Sequence, residues 1–138
     1  MNVLAIGAHY DDIELGCSGT LLKHAANGDN VTMVVVTNSA YSDPNGKMIR
    51  SAATALEEGR KAAKIIGAKL ECLNFETFFV PFSEALGSVL TKYIEDLKID
   101  VVYAPLDRDW ETPEKTQNYD YYPNKMQLNS WIDRKSVV

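Results

Sequence analysis

Residues 5–17 read AIGAHYDDIELGC, and in this stretch an apolar run ends in small residues. Four ionisable side chains follow within six positions: His9, Asp11, Asp12 and Glu14. Ligands of open α/β sheets bind at the carboxyl ends of the strands, so ionisable groups placed where a first strand ends predict a metal or acid/base site. Histidine and aspartate side chains suit zinc, whose catalytic sites use about three protein ligands and keep one position open.

The same residues have a second interpretation. A histidine and several acids after a strand also fit a solvated turn in which an aspartate caps the next helix. The neighbouring residues favour the site, because the stretch follows a strand of buried type and precedes the small residues Gly16–Gly19, which are typical of a helix entry.

Apolar strands alternate with helical patterns along the first three quarters of the chain. The predicted elements are strands at Asn2–Gly7, Val31–Thr37, Leu70–Phe75 and Ile99–Ala104, and helices at about Cys17–Asn27, Met48–Ile66 and Ser83–Leu97. This alternation predicts an α/β fold, a Rossmann-like three-layer α/β/α sandwich with a mostly parallel sheet. Because the rhythm stops near residue 105, we expect an α/β domain at 1–105, an atypical polar tail at 106–138, and a fold that is C-terminally truncated.

The composition excludes several classes of protein. A hydrophobic fraction of 46% and a charged fraction of 24% are typical of a globular domain. A net charge of -5 argues against nucleic acid as a partner, because no basic stripe is present to neutralise phosphates. No apolar run approaches the ~20 residues of a membrane span. Without a signal-peptide pattern, and with two distant cysteines that give no disulfide framework, we expect a cytoplasmic protein.

The residues 8–14, AHYDDIE, followed by GCSGTL at 16–21, resemble the opening signature of the PIG-L/LmbE-like N-deacetylases. That family usually has proline where Tyr10 stands, and glycine where Ser18 stands. The resemblance covers about residues 1–105. It implies that His9 and Asp12 bind Zn²⁺ and that Asp11 is the general base that activates water. It also implies a substrate that is an N-acetylated sugar or sugar conjugate.

The resemblance implies a role for one further residue, Arg50, which follows the long loop Asn38–Gly46. The family has an arginine near this point that contacts the sugar, so Arg50 is expected to bind substrate. Glu58 is expected to be structural and to hold the loop. We expect this loop and Phe78–Phe79 to line the pocket.

The family also has a closing motif, Asp-x-His-x-Asp-His, whose last histidine is the third zinc ligand. Residues 109–114 here read DWETPE, with glutamate at both histidine positions. A carboxylate can bind zinc, so Glu114 becomes the candidate third ligand. The other histidine of the chain, His24, lies in a helical pattern and is expected to be a partly exposed structural residue.

Three functions remain open at this stage. The first is a zinc-dependent N-deacetylase of amino sugars, and the second is an inactive or truncated homologue that acts as a binding module. The third is a small α/β nucleotide-binding protein, although the glycines around residues 7–19 do not have G-x-G-x-x-G spacing. A homo-oligomer is a further partner that the sequence leaves open.

Overall fold

The computed structural model describes residues 1–80 and 83–105. Its elements run in the order β1, α1, β2, β3, β4, α2, β5, α3, β6. The strands are β1 Asn2–Gly7, β2 Asn30–Thr37, β3 Tyr41–Ser42, β4 Met48–Arg50, β5 Lys69–Phe75 and β6 Val101–Tyr103. The helices are α1 Tyr10–Ala26, α2 Ala52–Ile66 and α3 Glu84–Asp96. Within this described part, no helix is long and apolar enough to cross a membrane.

Strands β5, β2, β1 and β6 form, in that order, a parallel sheet. The chain moves from β1 outward through β2 to β5 and then returns to add β6 on the other side of β1. This reversal next to β1 is a topological switch point, where open α/β sheets form their ligand crevices. The residues that follow β1 therefore lie where the fold itself favours a site.

The core consists of two apolar layers, one on each face of the sheet. Alternate residues of β1 and β2 point to opposite faces, because side chains alternate along a strand. Val3, Met33 and Val35 pack with the buried residues of α1 and α2, whereas Leu4, Ile6 and Val34 pack with Leu86 and Leu90 of α3. Helices thus cover both faces, and the predicted three-layer α/β/α architecture is confirmed.

Helix α1 begins seven residues earlier than the sequence predicted, at Tyr10 and not near Cys17. Apolar periodicity does not mark this first turn, because Asp11 and Asp12 occupy it. Carboxylates are nevertheless stabilised at that position, since the helix dipole places partial positive charge at the amino end. The ionisable stretch is therefore the start of a helix, not a loop that precedes one.

Helix α2 begins later than predicted, at Ala52, because the Ser51 side chain caps it by accepting a hydrogen bond from the Thr54 backbone N–H at 3.1 Å. Residues Met48–Arg50, which were predicted to begin this helix, instead form β4, and β4 pairs antiparallel with β3, which lies in the predicted loop Asn38–Gly46. Strands of two and three residues are too short to give an apolar alternation that sequence could reveal. Helix α3 and strands β1, β2, β5 and β6 lie close to their predicted positions.

Candidate active site

The first turn of α1 lies close to the end of β1 at Gly7. A Cβ atom at Gly7 would lie 3.0 Å from Ile13 Cγ1 and 3.1 Å from Asp12 Cβ. These distances are tighter than ordinary contacts, so a side chain at this position would require the first turn of α1 to shift by a few tenths of an ångström. The close approach brings the acidic first turn over the carboxyl end of the central strand.

His9 is the residue that caps α1, and Asp12 holds it in place. The Asp12 carboxylate accepts a hydrogen bond from the His9 backbone N–H at 2.9 Å, as the third helical residue does in a capping box. The same carboxylate oxygen, Oδ2, lies 3.5 Å from His9 Nδ1. One short helical turn thus fixes an imidazole nitrogen next to a carboxylate oxygen.

Two hydroxyl side chains at the carboxyl end of β2 hold this turn from the neighbouring strand. Thr37 Oγ1 donates to the Ala8 carbonyl at 2.8 Å, and Ser39 Oγ accepts from the Tyr10 backbone N–H at 3.1 Å. Both residues are buried, and Ser39 has a left-handed backbone with φ of 57°. Strain of this kind is common at functional sites. Sequence reasoning placed Ser39 only within the loop expected to line the pocket and gave Thr37 no role, although two hydroxyls at the end of a buried strand were a usable signal.

The spacing of the His9 and Asp12 side chains fits two ligands of one zinc ion. Two ligands of one tetrahedral zinc, each about 2.1 Å from the ion, lie about 3.4 Å apart. The observed separation of 3.5 Å is close to that value, and the two side chains are only 12% and 9% exposed. Among residues 1–80 and 83–105, no group of three or more His, Cys, Asp or Glu side chains is arranged to hold a metal. Glu114, the predicted third ligand, lies outside the described residues.

Asp11 occupies the position next to this pair and is exposed to solvent. It belongs to the same first turn of α1 as Asp12. A carboxylate that faces solvent beside two potential metal ligands can contact both a water molecule and a substrate. Exposure to solvent meets one requirement of a general base, because proton transfer needs direct hydrogen-bonding reach to water.

Arg50 ends β4 and pairs with Glu58 on α2. Its Nη2 atom donates to Glu58 Oε2 at 2.7 Å, which ties the hairpin to the helix. Glu58 thereby has the structural role that the sequence predicted. The Nε atom of Arg50 is buried and has no hydrogen-bond partner among the described residues.

Glu14 lies on α1 one turn after Tyr10, and its Oε2 atom is the second buried side-chain atom without a partner in the described part of the chain. Burial raises the pKa of its carboxyl group, and the negative charges of Asp11 and Asp12 add to that rise. The positive charge of Arg50 acts in the opposite direction. The Glu14 carboxyl is thus part of the same electrostatic environment as the proposed catalytic residues.

The loops that follow β2 and β5 also meet at this edge of the sheet. Thr77 Oγ1 donates to Asn38 Oδ1 at 3.3 Å, and the Asn38 backbone N–H donates to the Phe75 carbonyl at 2.9 Å. Phe78 and Phe79 follow Thr77 and are exposed. The neighbouring Pro81 and Phe82 lie outside the described residues.

The fold and the candidate site define the class as a Rossmann-like α/β protein with a histidine and carboxylates at the carboxyl end of its central strand. The sequence matches the model of the GlcNAc-PI de-N-acetylase family, PIG-L, over residues 4–116. Because this match covers most of the 138 residues, the chain belongs to the PIG-L family.

Individual relatives agree with this assignment. The chain is 45% identical over 65 residues to the uncharacterized deacetylase YaiS of Escherichia coli (strain K12). This alignment covers 47% of this chain and 32% of YaiS. It is 26% identical over 106 residues to the diacetylchitobiose deacetylase of Thermococcus kodakarensis. This second alignment covers 75% of this chain and 40% of that protein. The chain therefore spans less than half the length of the curated relatives it matches.

A solved structure extends the agreement to the fold. The N,N'-diacetylchitobiose deacetylase from Pyrococcus horikoshii has a TM-score of 0.80 to this structure at 26% identity. The superposition covers 97% of this chain and 48% of that one.

Proposed function

We propose that this chain carries the imidazole-and-carboxylate half of a zinc-dependent N-deacetylase site that acts on an N-acetylated amino sugar or its conjugate. The observation that carries the proposal is the 3.5 Å separation of His9 Nδ1 and Asp12 Oδ2 beside the exposed Asp11, in a chain of a de-N-acetylase family. The chitobiose deacetylases among its relatives support an amino sugar as the substrate class.

The reaction is the hydrolysis of an amide to a free amine and acetate. His9 and Asp12 would hold a zinc ion, which would supply Lewis acidity toward the acetyl carbonyl and toward water. Asp11 takes one proton from the attacking water and returns a proton to the leaving nitrogen as the C–N bond breaks. The hydroxyls of Thr37 and Ser39 hold the turn that positions these groups.

Glu114 is proposed as the third ligand, because it stands where the family has its closing histidine. The α/β part at 1–105 and the polar segment at 106–138 would then each contribute to one metal site. Two free cysteines, Cys17 and Cys72, suit the reducing cytoplasm as the location of this chemistry.

The test is the zinc content of the purified chain beside the His9→Ala and Glu114→Ala variants. We expect the wild-type chain to hold one zinc ion and to release amine from N-acetylglucosamine conjugates. Both variants should lose the zinc. The matched control is His24→Ala, which removes the other histidine and should leave zinc content unchanged. Absence of zinc above background in the wild-type chain would contradict the proposal and favour the binding-module alternative.

A further inference from the structure

The loop after β5 exposes two neighbouring aromatic side chains between two buried residues. Phe78 and Phe79 are 45% and 68% exposed, whereas Thr77 and Val80 on either side are 4% and 3% exposed. Val80 packs in the apolar cluster that covers the α3 face of the sheet, together with Leu86. Because buried residues anchor the loop on both sides of the pair, the fold itself holds the two rings at the surface.

The backbone at Phe78 has a conformation that aromatic residues rarely adopt. The Phe79 backbone N–H donates to the Glu76 carbonyl at 3.1 Å, which closes a four-residue turn with Phe78 in its third position. Phe78 has a φ of 74°, and a turn with positive φ at that position normally has glycine or asparagine there. Backbone strain of this kind is concentrated at functional sites. An aromatic residue at a position suited to glycine therefore indicates a role for the ring itself.

Hydrogen bonds connect this turn to the candidate active site. Thr77 Oγ1 donates to Asn38 Oδ1 at 3.3 Å, and the next residue, Ser39, accepts from the Tyr10 backbone N–H at 3.1 Å. Tyr10 belongs to the first turn of α1, which also carries the proposed base and the proposed ligand Asp12. The two rings thus follow the carboxyl end of β5, at the same edge of the sheet as the site, with β2 between them and β1.

The size and charge of this surface fit a small apolar group. Two rings with these exposed fractions offer roughly 200 Å². This area is far below the ~800 Å² that each partner buries in a stable protein interface, so the pair alone does not hold a second copy of the chain. Glu76 beside the rings is exposed and the net charge of the chain is -5, which disfavours an anionic membrane surface. An uncharged ring or short alkyl chain meets neither obstacle.

We propose that Phe78 and Phe79 form an aromatic platform that binds an apolar aglycone, which is the group attached to the anomeric carbon of the amino sugar. The N-acetyl group then reacts at the first turn of α1 while the aglycone packs on the rings beyond β2. This inference rests on the proposed function and deepens it. The preferred substrate is a conjugate with an aromatic or alkyl group, and Phe78 and Phe79 determine that specificity.

The test compares the binding of phenyl and methyl glycosides of N-acetylglucosamine, by NMR titration of the full chain with zinc supplied. The Asp11→Asn variant is the background, so that hydrolysis does not consume the sugars. We expect this chain to bind the phenyl glycoside about 10-fold more tightly, because aromatic rings stack favourably. Adding Phe79→Ala should bring the two affinities within about twofold, whereas Phe79→Trp should keep the preference.

A second variant, Phe78→Gly, separates the role of the ring from a role in folding. Glycine adopts positive φ without strain, so we expect the preference to fall while the urea midpoint of unfolding stays close to the wild-type value. The matched control is Ile65→Ala in the last turn of α2, which removes an apolar side chain that is 77% exposed. This control should keep the full preference for the phenyl glycoside.

Equal binding of the two glycosides, binding of neither, or a preference that survives in Phe79→Ala and Phe78→Gly would overturn the platform. Co-sedimentation of the wild type with neutral phosphatidylcholine vesicles, lost in Phe79→Ala, would assign the rings to a lipid surface and also overturn it. Amine release by the wild-type chain, measured separately, distinguishes the two proposals. Preferential binding without amine release refutes only the deacetylase, and amine release without preference refutes only the platform.

Discussion

The two ends of the parallel sheet differ in how their polar groups are used. At the amino end, Asp29 accepts hydrogen bonds from the Met1 amine and pairs with His24 Nδ1, both at 2.7 Å. The other ring nitrogen of His24 lies 3.0 Å from the Tyr103 hydroxyl. At the carboxyl end, Glu14 and Arg50 each keep a buried atom without a partner in the described residues.

Each histidine is linked to an aspartate on or just after α1. His24 has hydrogen-bond partners at both ring nitrogens, which favours a fixed structural role. His9 and Asp12 lie beside exposed Asp11, and these three residues carry the role that we propose for the carboxyl end of the sheet.

The largest effect expected at the carboxyl end is on activity. Asp11→Asn removes the proposed base without changing shape, and we expect amine release to fall by about 100- to 10,000-fold. Its counterpart is Asp29→Asn, which lies at the amino end of the strands, far from Asp11. This variant should keep its activity at neutral pH within about twofold of the wild-type value. A steady-state assay of amine release checks both variants. Full activity in Asp11→Asn would refute its role.

The contact between Gly59 and the Tyr10 ring gives the largest expected effect on stability. Gly59→Ala would force a methyl group into the Tyr10 ring, and we expect the free energy of unfolding to fall by about 3 kcal/mol. Gly19→Ala is the matched control, since an added Cβ there meets no atom within 4 Å. That helical, exposed substitution should stabilise the protein by up to about 1 kcal/mol. Urea unfolding measures both changes, and equal effects would contradict the packing described for Tyr10.

The polar network at the amino end should contribute less. His24→Ala removes hydrogen bonds to Asp29 and Tyr103, and we expect a loss of about 1–2 kcal/mol in the free energy of unfolding. Zinc content should be unaffected. If the His24→Ala variant lost zinc and the His9→Ala variant kept it, the assignment of the two histidines would be reversed.

The smallest effect is a pH dependence that belongs to the amino end. The pKa of the Asp29 carboxyl is lowered from its usual 3.8, first by the hydrogen bond from the terminal amine and then by the one from His24. A carboxyl whose folded-state pKa is depressed stabilises the protein above its unfolded pKa, and this stability is lost as the pH falls through the folded-state value.

Urea unfolding of the wild type and of Asp29→Asn, compared from pH 6 downward, should therefore show a stability difference that is constant above about pH 5 and shrinks below about pH 4. A difference that grows on acidification would contradict this role for Asp29.

The sequence by itself determined the α/β architecture and the first half of the site. Apolar runs such as Val31–Thr37 and helical periodicity in Ser83–Leu97 are local signals, and burial on both faces of a parallel sheet requires them. The cluster of His9, Asp11 and Asp12 was equally visible, because all of it lies within one short stretch.

Only the tertiary structure decided which distant residues join that cluster. Thr37 and Ser39 hold the turn from a neighbouring strand, and Arg50 is tied to α2 by Glu58. The start of α1 at Tyr10 also depended on context, because a turn of acids has no apolar period and is stabilised by the helix dipole. Such contacts depend on how strands and helices are brought together, which local patterns of residues do not specify.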